Sequence, residues 1–213
     1  MIAALSLGCA LATAPHAQAQ DIVVPATPAI ITPPPGNDVF LLGRATGTQG
    51  YVCLPTSPGA TTASWTVKGA RPEATLFQSV FGLDFQIITH FLSPDTNPNK
   101  AAPQPLPFGS ATWQSSFDTS KVWAAVLNSN TIPAGSDPSS CPNTGAIACL
   151  LLESIGSEPG PTGGTILSQT TFVQRLNTKG GSAPEEGCST SADVGNQVLV
   201  PYKADYYFYR KSK

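Results

Sequence analysis

The sequence contains few side chains that could carry chemistry, and a single histidine leads that short set. His90 is the only histidine left if residues 1–20 are removed as a signal peptide, because His16 lies inside that segment. One histidine excludes multi-histidine metal centres and leaves any Ser-His-Asp arrangement only one candidate base. Its apolar strand neighbours predict a half-buried histidine bonded to an adjacent strand, with a general base as the alternative.

Two carboxylates, Asp118 and Glu153, complete the catalytic candidates. Asp118 precedes a predicted strand, where such a residue usually caps a turn through its own side chain. Glu153 follows the apolar run ACLLL, and Arg175 in another long strand is its expected ion-pair partner, with paired acid and base roles as the alternative. A glycosidase would need Asp118 and Glu153 about 5 or about 7–9 Å apart across a cleft.

A second group of candidates lies near the C terminus and could bind a ligand. Four polar residues end a predicted strand that runs into a Gly-Gly turn: Gln174, Arg175, Asn177 and Thr178. They form either a ligand-facing strand end or a hydrogen-bonded corner that closes the fold. Tyr207 and Tyr209 share one face of the last predicted strand, where they either pack in a core or offer sugars a stacking surface.

Composition excludes several functional classes. Charged residues are 11% of the chain, the formal net charge is -2, and no basic run is present, so nucleic acid is not an expected partner. The sequence has no P-loop, nucleophile elbow or helical zinc motif, and we expect no cofactor and no metal. No segment after the N terminus has the run of about 20 apolar residues that spans a bilayer.

The N terminus indicates export. An apolar stretch, Ile2–Ala12, is followed by Ala17-Gln18-Ala19, which is typical of a signal-peptide cleavage site. Residues 1–20 are therefore predicted to be a signal peptide, and residues 21–36 a Pro-rich extended arm. We expect a secreted protein, extracellular or periplasmic, with residues 37–213 as a single β domain.

Export also changes the interpretation of the cysteines. Four remain after residue 20, namely Cys53, Cys141, Cys149 and Cys188. An even number in an oxidising compartment predicts two disulfides, for which three pairings exist. A local bridge between Cys141 and Cys149 is sterically reasonable and leaves Cys53 to pair with Cys188. No Cys-x-x-Cys spacing occurs, and no histidine lies near a cysteine in sequence, so zinc is not expected.

The remaining pattern is of short strands between turns. The chain has 21 prolines and 19 glycines, which favours turns over helices. Strands are predicted at Gly50–Leu54, Ser64–Lys68, Ala74–Gln78, Phe85–Leu92, Ala111–Gln114, Lys121–Leu127, Ala146–Ser154, Thr165–Leu176 and Gln197–Tyr209, with a helical turn or strand at Val39–Leu42. We predict an all-β single domain, a β-sandwich or closed barrel of about ten short strands with long Pro/Asn-rich loops.

Several sequence blocks together resemble a known family. They are GTQGYVC, SWTVKGARPEATLF, ITHF, SATWQSSFDTSKVWA, ACLLLESI, TTFVQRLNTKGGSAPEEGC and VPYKADYYFY. Over roughly residues 37–210 they resemble the secreted bacterial and fungal family catalogued as domain of unknown function 3455. Some fungal relatives carry the label malate dehydrogenase, which the absence of a G-x-G-x-x-G motif does not support.

The resemblance also bears on the cysteines. Cys53 and Cys188 match family positions, whereas Cys149 stands where relatives are expected to have an aromatic residue. A second departure is the Pro/Asn-rich insertion of residues 93–108. The resemblance thus implies that Cys53–Cys188 is the family bridge and that Cys141–Cys149 is a local addition.

Three functional hypotheses follow. The favoured one is a non-enzymatic secreted or cell-surface module that binds a glycan or another envelope component. The first alternative is an extracellular hydrolase that uses His90 or the Asp118 and Glu153 pair. The second is a purely structural surface protein. Close approach of His90 to Asp118, Glu153 or Arg175 in one open cleft would favour the hydrolase.

Overall fold

The computed structural model describes residues 21–67, 73–93 and 109–213 of the chain. The predicted signal peptide and most of the Pro/Asn-rich insertion lie outside the described residues. Nine strands are described: β1 Asn37–Pro55, β2 Ala63–Thr66, β3 Glu73–Val80, β4 Leu83–Ser93, β5 Ser110–Ser115, β6 Lys121–Ile132, β7 Cys149–Glu158, β8 Thr170–Gly180 and β9 Gln197–Lys211. The helical structure in the described residues is limited to two short 3₁₀ turns, Ala29–Ile31 and Ser191–Asp193.

The strands form one antiparallel sheet that closes on itself. Its order is β2-β1-β3-β4-β5-β6-β7-β8-β9, and β9 also pairs with β1 along most of the length of β1. Strands β1 and β3 to β9 therefore make a closed ring, which β2 extends beside the far end of β1. The all-β, single-domain prediction is confirmed, and of its two architectures the closed one describes this sheet.

Strand β1 is the main departure from the predicted strand positions. Sequence analysis places two short segments at Val39–Leu42 and Gly50–Leu54, but the strand is continuous over 19 residues. Its glycines suggest a turn in sequence, yet they permit close approach of a neighbouring strand. A Cβ at Gly47 would overlap the backbone of Glu73 and Ala74 in β3, so only glycine fits at this crossing.

Alternation along each strand separates an inner core from an outer one. In β9, Tyr202, Tyr206 and Phe208 point into the ring, while Tyr207 and Tyr209 point outward, which are the two faces that the sequence predicts. The outer aromatic residues do not face solvent. They pack in a second core with the N-terminal arm, whose Ile31 is fully buried.

The two ends of the ring differ. We call one the disulfide end, where β1, β4, β6 and β8 finish and both disulfides lie, and the other the turn end. Cys53 is bonded to Cys188 and Cys141 to Cys149, with Cα–Cα distances of 5.5 and 6.0 Å. These are the two bridges that sequence analysis favours. They fix the connections of β8–β9 and β6–β7 to the ends of their strands.

Candidate functional site

His90 lies inside the ring, in the main core. Its register partner in β5 is Trp113, and the two rings stack with centroids 4.2 Å apart and an interplanar angle of 7°. Tyr206 closes a third side at 5.7 Å. Nδ1 of His90 donates to the carbonyl oxygen of Thr112 at 2.9 Å, so the hydrogen bond to a neighbouring strand is the predicted one, although His90 is more deeply buried than expected.

This environment keeps His90 neutral. Burial lowers the pKa of His90 to about 4, against a smaller opposing effect of the hydrogen bond to Thr112, and the positive charge of Arg175 lowers it further. A histidine that is only 4% exposed and stacked on a tryptophan is poorly placed to exchange protons with a substrate at the surface.

Asp118 lies at the turn end and fastens two loops together. Its Oδ1 accepts hydrogen bonds from the N–H and hydroxyl of Ser120, at 3.1 and 2.7 Å, and its Oδ2 accepts from the N–H of Ile166 at 2.9 Å. The Ser120 hydroxyl in turn accepts from the N–H of Leu167, a fully buried residue of the main core. Asp118 therefore caps a turn, as predicted, and also holds the β7–β8 loop against the ring.

The same contacts affect the ionisation of Asp118. Burial raises the pKa of Asp118, but the hydrogen bonds from Ile166, Ser120 and Ser115 outweigh burial and hold that pKa below its usual value. Because the folded-state pKa is the lower one, the stabilisation is present above the unfolded pKa and is lost as the pH falls through the folded one. The Asp118 contacts should therefore weaken only in strong acid.

We expect Asp118→Ala to lower the free energy of unfolding by about 1–3 kcal/mol, since it leaves buried N–H groups without an acceptor. Urea denaturation at pH 7 measures the change. Asp38→Ala is the matched control, because Asp38 is an exposed carboxylate whose side chain makes no hydrogen bond to a described residue. Equal effects of the two substitutions would contradict a structural role for Asp118.

The expected ion pair between Glu153 and Arg175 is wrong. Glu153 is exposed on the outside of the ring, opposite Phe172. Arg175 lies opposite Leu150 and Tyr206, whose side chains face the interior, and directly opposed residues in an antiparallel sheet share one face. Residues an odd number of positions apart on paired strands fall on opposite faces, which the sequence alone could not assign.

Gln174 and Tyr209 do not face a free ligand surface either. Nε2 of Gln174 donates to the carbonyl oxygen of Ile31 at 2.6 Å, and the Tyr209 hydroxyl donates to Oε1 of Gln174 at 2.7 Å. The N-terminal arm thus occupies the surface proposed for sugar stacking. Tyr207 is buried in the same outer core, and burial raises its pKa to about 12, aided by the nearby Asp205 carboxylate and opposed by Arg44.

The last two polar candidates separate. Thr178 is fully buried and donates to the carbonyl oxygen of Ile147 at 2.6 Å, beside the Cys141–Cys149 bridge, so it belongs to the closing corner. Asn177 adopts a left-handed backbone, with φ of 52°, at an irregular point of β8. Its Nδ2 donates to Oδ2 of Asp205 at 2.9 Å, and it lines an open groove.

We call this depression the outer groove. It lies on the outside of β1, β8 and β9, between the β3–β4 hairpin and the β6–β7 loop, and its volume is about 640 Å³. Its charged, amide and aromatic side chains are Arg44, Lys179, Lys203, Asp84, Asp205, Asn143, Asn177 and Phe77. Of the ligand candidates from the sequence, Asn177 alone contributes to it.

Two lysines stand out in the outer groove. Lys179 of β8 and Lys203 of β9 are directly opposite each other in the sheet, and both are exposed. Like charges directly opposed across a strand pair destabilise a sheet. Among the described residues, no carboxylate lies within ion-pairing distance of Lys179, Lys203 or Arg44. Sequence reasoning missed this pair, because its signal is the strand register and not a motif.

Other kinds of site were sought in the described ranges. Residues 21–67, 73–93 and 109–213 contain no cluster of three or more His, Cys, Asp or Glu side chains placed to hold a metal ion. The same part of the chain has no helix that is long and apolar enough to cross a membrane.

Comparison with known proteins gives one match. A family model described as "Protein of unknown function (DUF3455)" matches residues 34–210, which is most of the chain. No curated protein and no solved structure matches.

Proposed function

The chain belongs to the DUF3455 family, and we propose that it is a secreted, non-enzymatic module that binds an acidic glycan or a similar anionic envelope component. The proposed site is the outer groove. The chemistry of that groove suits such a ligand, and the positions of the catalytic candidates do not suit a hydrolase.

The observation that carries the proposal is the opposed pair Lys179 and Lys203. Their mutual repulsion has a cost in the free protein, of about 0.2–1 kcal/mol for a pair of this kind. An anion placed between them would turn that repulsion into two attractive contacts. Arg44 adds a third positive charge in the same groove.

The other groove residues fit the neutral parts of a glycan. The amides of Asn143 and Asn177 can donate to and accept from sugar hydroxyls, and the carboxylates of Asp84 and Asp205 can accept from them. Phe77 provides an aromatic surface at the wall. Mixed charge with amides and one ring suits a polyhydroxylated acid better than a simple inorganic anion.

The dispersal of the catalytic candidates supports a binding role over hydrolysis. His90 is in the inner core, Asp118 fastens loops at the turn end, and Glu153 is exposed on the outer surface. A general acid and base must reach the same substrate atoms, which three separate locations do not allow. The two disulfides and the predicted signal peptide support a place outside the cytoplasm.

We expect the double substitution Lys179→Gln and Lys203→Gln to weaken binding of polygalacturonate, an acidic glycan, by about tenfold or more, because two charge-assisted contacts are lost. The same variant should unfold at equal or slightly higher urea concentration, because the repulsion is relieved. Isothermal titration calorimetry and urea denaturation measure the two effects.

Lys211→Gln is the matched control, since Lys211 is an exposed lysine of the same strand β9 at the turn end. It should leave the affinity unchanged. Dextran, a neutral glycan, should bind much more weakly than polygalacturonate, and added salt should weaken the acidic ligand. Equal binding by the double variant and the wild type, or no binding of polygalacturonate at low salt, would contradict the proposal.

A further inference from the structure

Arg175 is a half-buried positive charge without a negative partner. It faces the interior of the ring near the disulfide end, opposite Leu150 in β7 and Tyr206 in β9. Among the described residues, no carboxylate lies within ion-pairing distance of its guanidinium group. Removing a charge from water without pairing it is costly, and such charges are normally compensated.

The orientation of Arg175 is fixed by a neutral group. Its Nε and Nη2 donate to one acceptor, the carbonyl oxygen of Ala148, at 3.2 and 2.9 Å. Ala148 is adjacent to Cys149, whose disulfide to Cys141 fixes the backbone there. The two bonds occupy one edge of the planar guanidinium, so the remaining edge, which carries Nη1, is held in place and makes no hydrogen bond to a described residue.

Aromatic and phenolic groups surround this arginine. The Tyr51 hydroxyl donates to the carbonyl oxygen of Gly181 at 2.6 Å, and the hydroxyls of Tyr202 and Tyr206 are 3.1 Å apart. Burial raises the pKa of Tyr51 and Tyr202, and against burial the positive charge of Arg175 lowers both, which places the guanidinium close to these phenols. They remain neutral at physiological pH, so they do not serve as its counter-ions.

The corner beside Arg175 is packed to hold these groups in place. Gly181 has φ of 83°, and a Cβ there would lie 2.8 Å from Cβ of Tyr202 and 2.9 Å from Cγ2 of Ile147. Ile147 belongs to the main core. The arginine therefore lies in a rigid setting of tyrosine rings and aliphatic side chains, which is the kind of environment that preorganises a binding group.

We infer that Arg175 is the anion-binding centre of a second ligand site, inside the disulfide end of the ring, for a small organic carboxylate with an apolar or aromatic body. The carboxylate would take the free guanidinium edge in an end-on pair. The tyrosine rings and the aliphatic side chains of Leu150 and Ile147 would contact the apolar body. Inorganic phosphate fits less well, since it would lose much of its hydration and gain no apolar contact.

Benzoate is the probe for this site, with benzamide as its uncharged counterpart. We expect benzoate to bind the wild-type protein by isothermal titration calorimetry and to shift the Nε–H resonance of Arg175 in ¹H–¹⁵N spectra. Benzamide and inorganic phosphate should bind more weakly by about tenfold or more, the scale of one charge-assisted contact.

Arg175→Gln should abolish the benzoate effect, while Arg210→Gln, a change of an arginine on β9 outside this cluster, should not. Thermal unfolding without ligand keeps the test interpretable, because glutamine can still donate to the Ala148 carbonyl and should preserve a cooperative transition. Arg175→Lys keeps the charge in a fold that lacks the fork, and should bind benzoate with intermediate affinity.

Three results would overturn the inference: equal binding of benzoate and benzamide, unchanged benzoate binding in Arg175→Gln, or no response of the Arg175 Nε–H resonance. The double variant Lys179→Gln and Lys203→Gln should retain benzoate binding, because those lysines lie on the outside of the ring. Failure at Arg175 and failure of the outer groove are thereby distinguished.

Discussion

Replacement of Cys53 and Cys188 by serine is expected to lower the free energy of unfolding by about 2–5 kcal/mol, the range for a native disulfide in a secreted domain. The bridge joins residues 135 positions apart, so it restricts the unfolded chain strongly. It also holds a small outlying core, in which Cys53 and Cys188 pack with Ala63 and Trp65. Chemical denaturation of the double serine variant under oxidising conditions measures the loss.

The Cys141–Cys149 bridge provides the internal comparison. It closes a sequence separation of only 8, so the same entropy model predicts a loss smaller by about 2 kcal/mol. Both of its cysteines are fully buried in the outer core, and the serine hydroxyls would add a desolvation cost there. Alanine replacements at both bridges avoid that cost. A loss from the short bridge that matches or exceeds the long one would contradict the loop-length account.

Acid is expected to destabilise this protein between pH 6.5 and pH 4 through one residue, His90. Its pKa is lowered to about 4 in the folded protein, with burial as the main cause, whereas an unfolded histidine titrates near pH 6.5. Between these values the unfolded chain binds the extra proton. The stabilisation is therefore complete above pH 6.5 and is lost as the pH falls, by about 3 kcal/mol in total for a shift of this size.

His90→Phe should remove that dependence. Phenylalanine keeps a ring against Trp113 but carries no titratable proton, and loss of the bond to the Thr112 carbonyl lowers stability equally at every pH. The stability difference between wild type and variant should thus shrink by about 2–3 kcal/mol from pH 7 to pH 4.5, as measured by urea denaturation. Parallel pH profiles would show that His90 is not the group responsible. Carboxylates such as Asp118 act at lower pH and are common to both proteins.

Strand positions were accessible from the sequence because their signals are local. Alternating apolar residues between turns place β3, β4, β5 and β9 close to their observed bounds. The two faces of β9 follow from the same alternation, since successive side chains point to opposite sides. The long β1 was not recognised as one strand, because Gly43, Gly47 and Gly50 resemble turn residues until the close approach of β3 explains one of them.

The site was less accessible because it depends on register and closure. Sequence identified Arg175 and Asn177 as possible ligand contacts, but it could not show that one faces the interior and the other the outer groove. It proposed Gln174 and Tyr209 as a free surface, and the N-terminal arm covers them. An arm can cover any apolar face within its reach, so the cover is decided only when the chain is folded.

The sequence by itself determined an all-β domain and the two disulfides that it favoured, since turn residues, alternation and cysteine spacing act within short stretches of chain. Only the tertiary structure decided which residues lie side by side. Closure of the ring places Lys179 opposite Lys203 and turns Arg175 toward tyrosines and away from Glu153. Charges in a β-sheet are paired or left unpaired by strand register, and a shift of one residue reverses every face. Register is fixed by the packing of the whole core, which no local pattern contains.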